Sequence, residues 1–335
     1  MADEEFTLFL CAAIIVVIAY RVSSRASIIP LTAALPSYLK YKERWLMPVR
    51  DQGPCAACWS YSVVDMMADT LNVWTAGGYG KRPLSAQYLL SCSKAHEGCD
   101  VGGSPEAVYN LPQMTDVGCP LDADLPYEGK VTECKQLPPD AFRVRTIKNT
   151  AVDLCDDPSL ALPGTRGATI KRNVENMKRA LMAYGPIVGT IRVTEDLYAY
   201  KADGIYRGDP TSKLVGYHAI EIIGWCCEAV NIREPGFDSP AFWICRSSWG
   251  VYWGVPPGVS SGFAFIEMGA NVCDIESRAS VCRVNFPKEL AAIAKKTPLT
   301  EVRYESYTDY ADDPERQNFI DAVHAKLGDT ASFVR

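Results

Sequence analysis

Apolar residues recur with a helical period from residue 58 to residue 92 and again from 174 to 184. Within the first block the pattern predicts a helix over 58–73. Later the period shortens. Runs rich in β-branched and aromatic residues at 187–193, 218–226 and 241–246 have the length and composition of strands. Helices followed by strands predict an α+β fold in which a helical lobe faces a β-rich lobe across a cleft. Two stretches interrupt this order. Residues 134–167 carry Pro138-Pro139, Asp156-Asp157-Pro158 and Pro163-Gly164, which are expected to break any regular element, and 230–240 form a second insertion.

The ends of the chain have patterns of their own. Residues 6–20 hold no charge, and as a helix rising about 1.5 Å per residue they fall slightly short of a bilayer. Arg21 and Arg25 can extend that length by snorkelling. The expected arrangement is a single-pass transmembrane helix within residues 1–22, a short linker over 23–41 and a main domain over 42–286. The arginines would keep the bulk of the chain on the cytoplasmic side of the bilayer. Residues 287–335 form a C-terminal extension with helical patterns at 287–296 and 314–327. The second places Phe319, Ile320, Val323 and Leu327 on one side, suited to packing on the domain or docking a structural protein partner.

Composition narrows the function. A formal net charge of −6 and the lack of a basic stripe interleaved with aromatics argue against nucleic acid as a partner. No phosphate-cradling glycine repeat or metal-ligand spacing stands out, so no cofactor and no metal is expected. Thirteen cysteines are too many to ignore. Adjacent Cys226 and Cys227 suggest crowding or a bridge.

One cysteine has the context of a nucleophile. Cys58 opens the 58–73 helix, where backbone N–H groups favour a thiolate, and Gln52 lies six residues ahead of it. The Gln52 amide and the Cys58 N–H can together stabilise an oxyanion. His218, one of only three histidines, begins a strand pattern and can act as base. His96 falls in a polar loop and His324 in a late helix. The competing reading, a redox pair of Cys55 and Cys58, leaves Gln52, His218 and the later tryptophan-glycine segment without a role.

Gln52-Gly53-Pro54-Cys55-Ala56-Ala57-Cys58-Trp59 resembles the nucleophile segment of the papain and cathepsin B-like cysteine proteases. Leu84 to Cys92 resembles the family's next helix, Cys99 to Gly103 its substrate-binding turn, and Ser247-Ser248-Trp249-Gly250 its third catalytic segment. The resemblance covers roughly residues 28–284. It implies a papain-like two-lobed fold and hydrolysis of peptide or protein substrates, with Cys58 attacking, His218 as base and then acid, and Gln52 lining the oxyanion hole. It further implies that Trp249 shields the site and that Gly102, Gly103 and Trp59 bind substrate. The implied disulfides are Cys55 with Cys99, and Cys92 with Cys134 or Cys119.

The departures are informative. His218 follows Cys58 by 160 residues, somewhat beyond the family's usual about 130–150. Ser247 stands where the family has asparagine. A serine hydroxyl is shorter and freer to rotate, so His218 is expected to be held less firmly and turnover to be weakened. Asp100 and Val101 put one residue more between Cys99 and the paired glycines. The alternative is a catalytically impaired domain serving as a membrane-tethered structural component of a large assembly, such as the internal membrane of a large DNA virus particle.

Overall fold

The computed structural model describes residues 35, 38–41, 43–200, 205–227, 241–254 and 262–294. The apolar segment 6–20, the 230–240 insertion, the 314–327 helix pattern and His324 lie outside them. Among the described residues, no helix is long and apolar enough to cross a membrane.

Helix α1 (Cys58–Trp74) matches the 58–73 pattern and forms the centre of the molecule. Trp59 through Val73 are all buried, so its polar side chains must find partners inside the protein. Ser60 Oγ donates to the Ala86 carbonyl at 2.6 Å, and Asn72 Nδ2 donates to the Trp45 carbonyl at 2.7 Å. The rest of the first helical block resolves into α2 (Ala86–Cys92), whose N-terminus is capped by Ser85 accepting the Tyr88 N–H. α3 (Arg166–Tyr184) begins eight residues before the 174–184 pattern, because its first turns are mostly polar and exposed. A last helix, α4 (Lys288–Ala294), opens the C-terminal extension, and Leu290 buries itself in the core.

Among the described residues, ten strands are numbered in chain order. They are β1 (Tyr38–Lys40), β2 (Cys119–Pro120), β3 (Arg143–Thr146), β4 (Val152–Asp153) and β5 (Ile187–Thr194). Then come β6 (Leu214–Cys226), β7 (Phe242–Arg246), β8 (Phe263–Glu267), β9 (Ala279–Val281) and β10 (Val284–Asn285). The main sheet is antiparallel in the order β4-β9-β5-β6-β7-β8, with β1 also paired to β6, and β10-β3-β2 make a second sheet. α1 packs against β5 and β6, so the first residue of the helix meets the sheet at the cleft. The helical lobe facing a β-rich lobe is therefore the observed architecture.

Two boundaries move. Residues 38–40, assigned to a linker, are a strand of the main sheet, with Leu39 opposite Trp225 and Lys40 opposite Gly224. Residues 134–167, expected to carry no regular element, contain β3 and β4, because β2 and β10 supply partners for β3 and β9 supplies the partner for β4. Cys55–Cys99 and Cys92–Cys134 are the disulfides, and Cys119 remains a buried thiol.

The β1 contact depends on one glycine. A Cβ at Gly224 would collide with the Leu39 carbonyl, whereas a Cβ at Gly216 of the same strand would meet open space. Gly224→Ala should cost about 1–3 kcal/mol of stability through this overpacking, and Gly216→Ala should cost far less. Urea midpoints of the two variants measure the difference.

Candidate active site

Cys58, His218, Gly102 and Gly103 line one cleft of about 540 Å³ between the lobes. The nucleophile segment is tied down on both sides. Ala56 N–H donates to the Cys99 carbonyl at 2.8 Å beside the Cys55–Cys99 bridge, and Gln52 N–H donates to the Ser248 carbonyl at 2.8 Å. Asp51 and Trp249 add an antiparallel bridge, so the segments before Cys58 and after His218 form one paired unit.

Burial pushes the Cys58 thiol up, while backbone donors of Ala219, Trp59 and Cys58 itself pull it part of the way back. Two of those donors belong to the first turn of α1, where orphan N–H groups face the sulfur. His218 sits on β6 opposite Ile191 and is buried, which pulls its pKa down to about 3. Each group is thus favoured in its neutral form by its surroundings, rather than as a standing ion pair.

The imidazole is held from two directions. Nε2 lies 3.0 Å from Ser247 Oγ, and the ring stacks on Trp249 at a centroid distance of 4.0 Å and an angle of 28°. Ser247 Oγ also accepts the Trp249 N–H at 3.2 Å, which restrains a hydroxyl expected to rotate freely. The Ser247 N–H is fixed on the Gly262 carbonyl at 2.9 Å. Shorter than asparagine, serine still closes the contact. With Nε2 facing Ser247, Nδ1 is the ring nitrogen left for the thiol. Trp253 and Tyr198 meet Trp249 edge-on at 4.8 Å and 5.5 Å, and neither is singled out by the sequence motifs.

Gln52 is buried and rigid. Its Nε2 donates to the Cys55 carbonyl at 2.9 Å and its Oε1 accepts from Ser248 Oγ at 2.7 Å, which leaves the second amide hydrogen for an oxyanion.

Trp59 corrects an expectation. It is fully buried, stacked on His96 at 5.1 Å, and supports the cleft wall from behind instead of meeting substrate. A Cβ at Gly103 would come within 3.0 Å of Trp59 and 2.9 Å of His96; one at Gly102, where φ is +86°, would reach the Ala56 carbonyl at 2.7 Å. The glycines therefore let the wall close on the layer behind it. The extra residue before them is absorbed in one helical turn, Gly98–Val101, closed by Gly102 N–H on the Gly98 carbonyl at 3.0 Å.

The cleft also has an acidic side. Glu106, Asp153 and Asp157 face the cleft, together with Arg278. Glu106 accepts from Ser280 Oγ at 3.0 Å. Asp153 and Asp157 come from the 134–167 insertion, carried there by pairing of β4 with β9. No local motif announces them; only the strand pairing does.

If stacking by Trp249 is what keeps water from the ring, Trp249→Ala should move the His218 titration from about 3 towards its ordinary value near about 6.5. NMR titration of the imidazole measures it, and an unmoved value would assign the burial to other neighbours.

Comparison with known proteins identifies the family. The family model described as papain family cysteine protease matches residues 35–283. A gut-specific cysteine proteinase of Caenorhabditis elegans is 27% identical over 274 residues, covering 73% of this chain and 72% of that protein. A cathepsin B-like cysteine proteinase of Schistosoma japonicum is 27% identical over 277 residues, covering 74% and 72%. Among solved structures, procathepsin B S9 of Trypanosoma congolense superposes with a TM-score of 0.58 at 24% identity, covering 76% of this chain and 80% of that one. The chain belongs to the papain family of cysteine proteases.

Proposed function

We propose that the chain hydrolyses peptide bonds through an acyl-enzyme in which Cys58 is the nucleophile. The observation that carries this reading is the convergence on one cleft of Cys58 at a helix N-terminus and His218 held by Ser247 and Trp249. As the sulfur attacks the substrate carbonyl and bonds to its carbon, the thiol proton passes to His218, and the new imidazolium charge is offset by the oxyanion forming on the carbonyl oxygen. The Cys58 N–H and the free Gln52 amide hydrogen receive the developing oxyanion. His218 next gives its proton to the leaving amine. A water deprotonated by the same ring then attacks the thioester, releasing the acid and restoring the thiol.

Ser247 keeps the ring oriented, with a reduced turnover. Its single oxygen is divided between the Trp249 N–H and the imidazole, whereas an asparagine carbonyl has greater reach and a larger dipole.

Three variants test the assignment. Cys58→Ala should abolish both peptide turnover and labelling by an active-site thiol probe; equal labelling would remove Cys58 from its role. Ser247→Ala should lower kcat/KM, and Ser247→Asn should raise it, each on the order of 10-fold or about 1.4 kcal/mol of transition-state stabilisation. An unchanged rate in Ser247→Ala would dismiss Ser247 as the orienting residue. A folded wild type that neither turns over peptides nor labels would instead leave the non-catalytic module.

A further inference from the structure

Behind the cleft, three ionisable side chains meet out of reach of water. Asp69 of α1, Glu221 of β6 and Arg246 of β7 are 0%, 2% and 3% exposed. Arg246 Nη2 lies 2.6 Å from Asp69 Oδ2 and also contacts Glu221 Oε2, while Nη1 donates to the Met47 carbonyl. Asp69 Oδ1 accepts the Met47 N–H at 2.6 Å. Two oxygens are left over. Glu221 Oε1 has no hydrogen-bond partner, and Asp69 Oδ2 has only the ionic contact, without an aligned hydrogen bond.

The charges do not balance if both carboxyls ionise. Two negative groups would face one guanidinium, and among the described residues no second cation pairs with either carboxyl. Asp65, one turn earlier on α1, is a further carboxyl already paired with Arg50, which also contacts Asp122. Tyr79, which faces Asp69, sends its hydroxyl to the Arg82 carbonyl at 2.8 Å. Burying an unpaired negative charge costs more than retaining a proton.

We infer that Asp69 and Glu221 share one retained proton, donated by Glu221 to Asp69, and that with Arg246 they form a neutral lock between the Cys58 helix and the strands of His218 and Ser247. The two leftover oxygens become the ends of that hydrogen bond. Burial raises both carboxyls, Asp69 to about 6 and Glu221 well above its ordinary range, with Arg246 opposing and Asp65 reinforcing the rise. Such a pair titrates as a unit.

The lock acts on the site by position. Glu221 lies three residues beyond His218 on β6 and faces Arg246 across the ladder, and Arg246 directly precedes Ser247. These are positioning residues, and the inference stands whether or not Cys58 is the nucleophile. The folded state holds this proton more tightly than the unfolded chain. The stabilisation is therefore complete below the ordinary carboxyl range and is lost as pH rises through the folded titration. His218 runs the other way. Its contribution is lost as pH falls below about 6.5, so the carboxyl pair governs the interval between that value and the onset of thiol ionisation. Above that onset the buried cysteines, also raised by burial, add a slope common to wild type and variants.

The test uses the full chain as wild type, Glu221→Gln and Asp69→Asn. Infrared difference spectra near neutral pH should contain a protonated-carboxyl band in the wild type that Glu221→Gln removes. Urea unfolding between about pH 6.5 and 8 should give a wild-type unfolding constant that rises with pH, by at most about tenfold per unit for one linked proton. Glu221→Gln keeps a donor to Asp69 without a titrating proton, and Asp69→Asn leaves a simple Glu221–Arg246 pair; both should flatten the slope. Absence of the band in the wild type overturns the inference even if a variant fails to fold, as does a slope of equal size in all three proteins.

Discussion

A helix buried along almost its whole length constrains everything around it. α1 has no solvent face between Trp59 and Val73, and several of its polar side chains there fix neighbours: Ser60 the start of α2, Asn72 the segment around Trp45, and Asp69 both Met47 and β7. At the first turn of this helix Cys58 is only half-buried and lines the cleft. Cys58 occupies that turn because the rest of the helix is consumed by the core, and the same burial that anchors the helix supplies the N–H groups directed at the sulfur.

The second theme is the low dielectric on both sides of the cleft. Burial moves Cys58 and His218 towards their neutral forms, so charge separation there must be driven by the reaction rather than stored at rest. Trp249 stacks on the ring, and it is itself met edge-on by Trp253 and Tyr198. Deeper in, the contact of Arg246 with Asp69 and Glu221 sets the spacing of α1 from β6 and β7. The chemistry at the surface of the cleft and the electrostatics beneath it thus share the same two strands.

Much of the site was legible because chemistry leaves short motifs. The residues around Cys58, His218 and Ser247 announce a nucleophile, a base and an orienting group, and α1, β5 and β7 follow their hydrophobic patterns to within one residue. What escaped depends on distant pairing. β3 and β4 are four and two residues long, too short for a periodic signal, and they exist because β10 and β9 complete them. The start of α3 was hidden because Ile170 is the only large aliphatic residue in its first two turns. Trp59 reads equally well as contact or core, since its neighbours along the chain do not reveal which side His96 covers. Glu221 carried a visible signal: a lone charge in Ala219-Ile220-Glu221-Ile222-Ile223 requires a buried counter-charge or a proton.

The two disulfides fall on one side of this molecule. Cys55–Cys99 joins the nucleophile segment to the glycine wall, and Cys92–Cys134 staples α2 to the segment following it, while the described cysteines of the main sheet remain thiols. The cleft is therefore asymmetric towards reductants. The wall bearing Cys58 owes part of its stability to closed loops that thiol exchange can open, whereas the wall bearing His218 rests on strand pairing that no reductant reaches. Loss of oxidising conditions would loosen the Cys58 half of the cleft first and leave the His218 half in place.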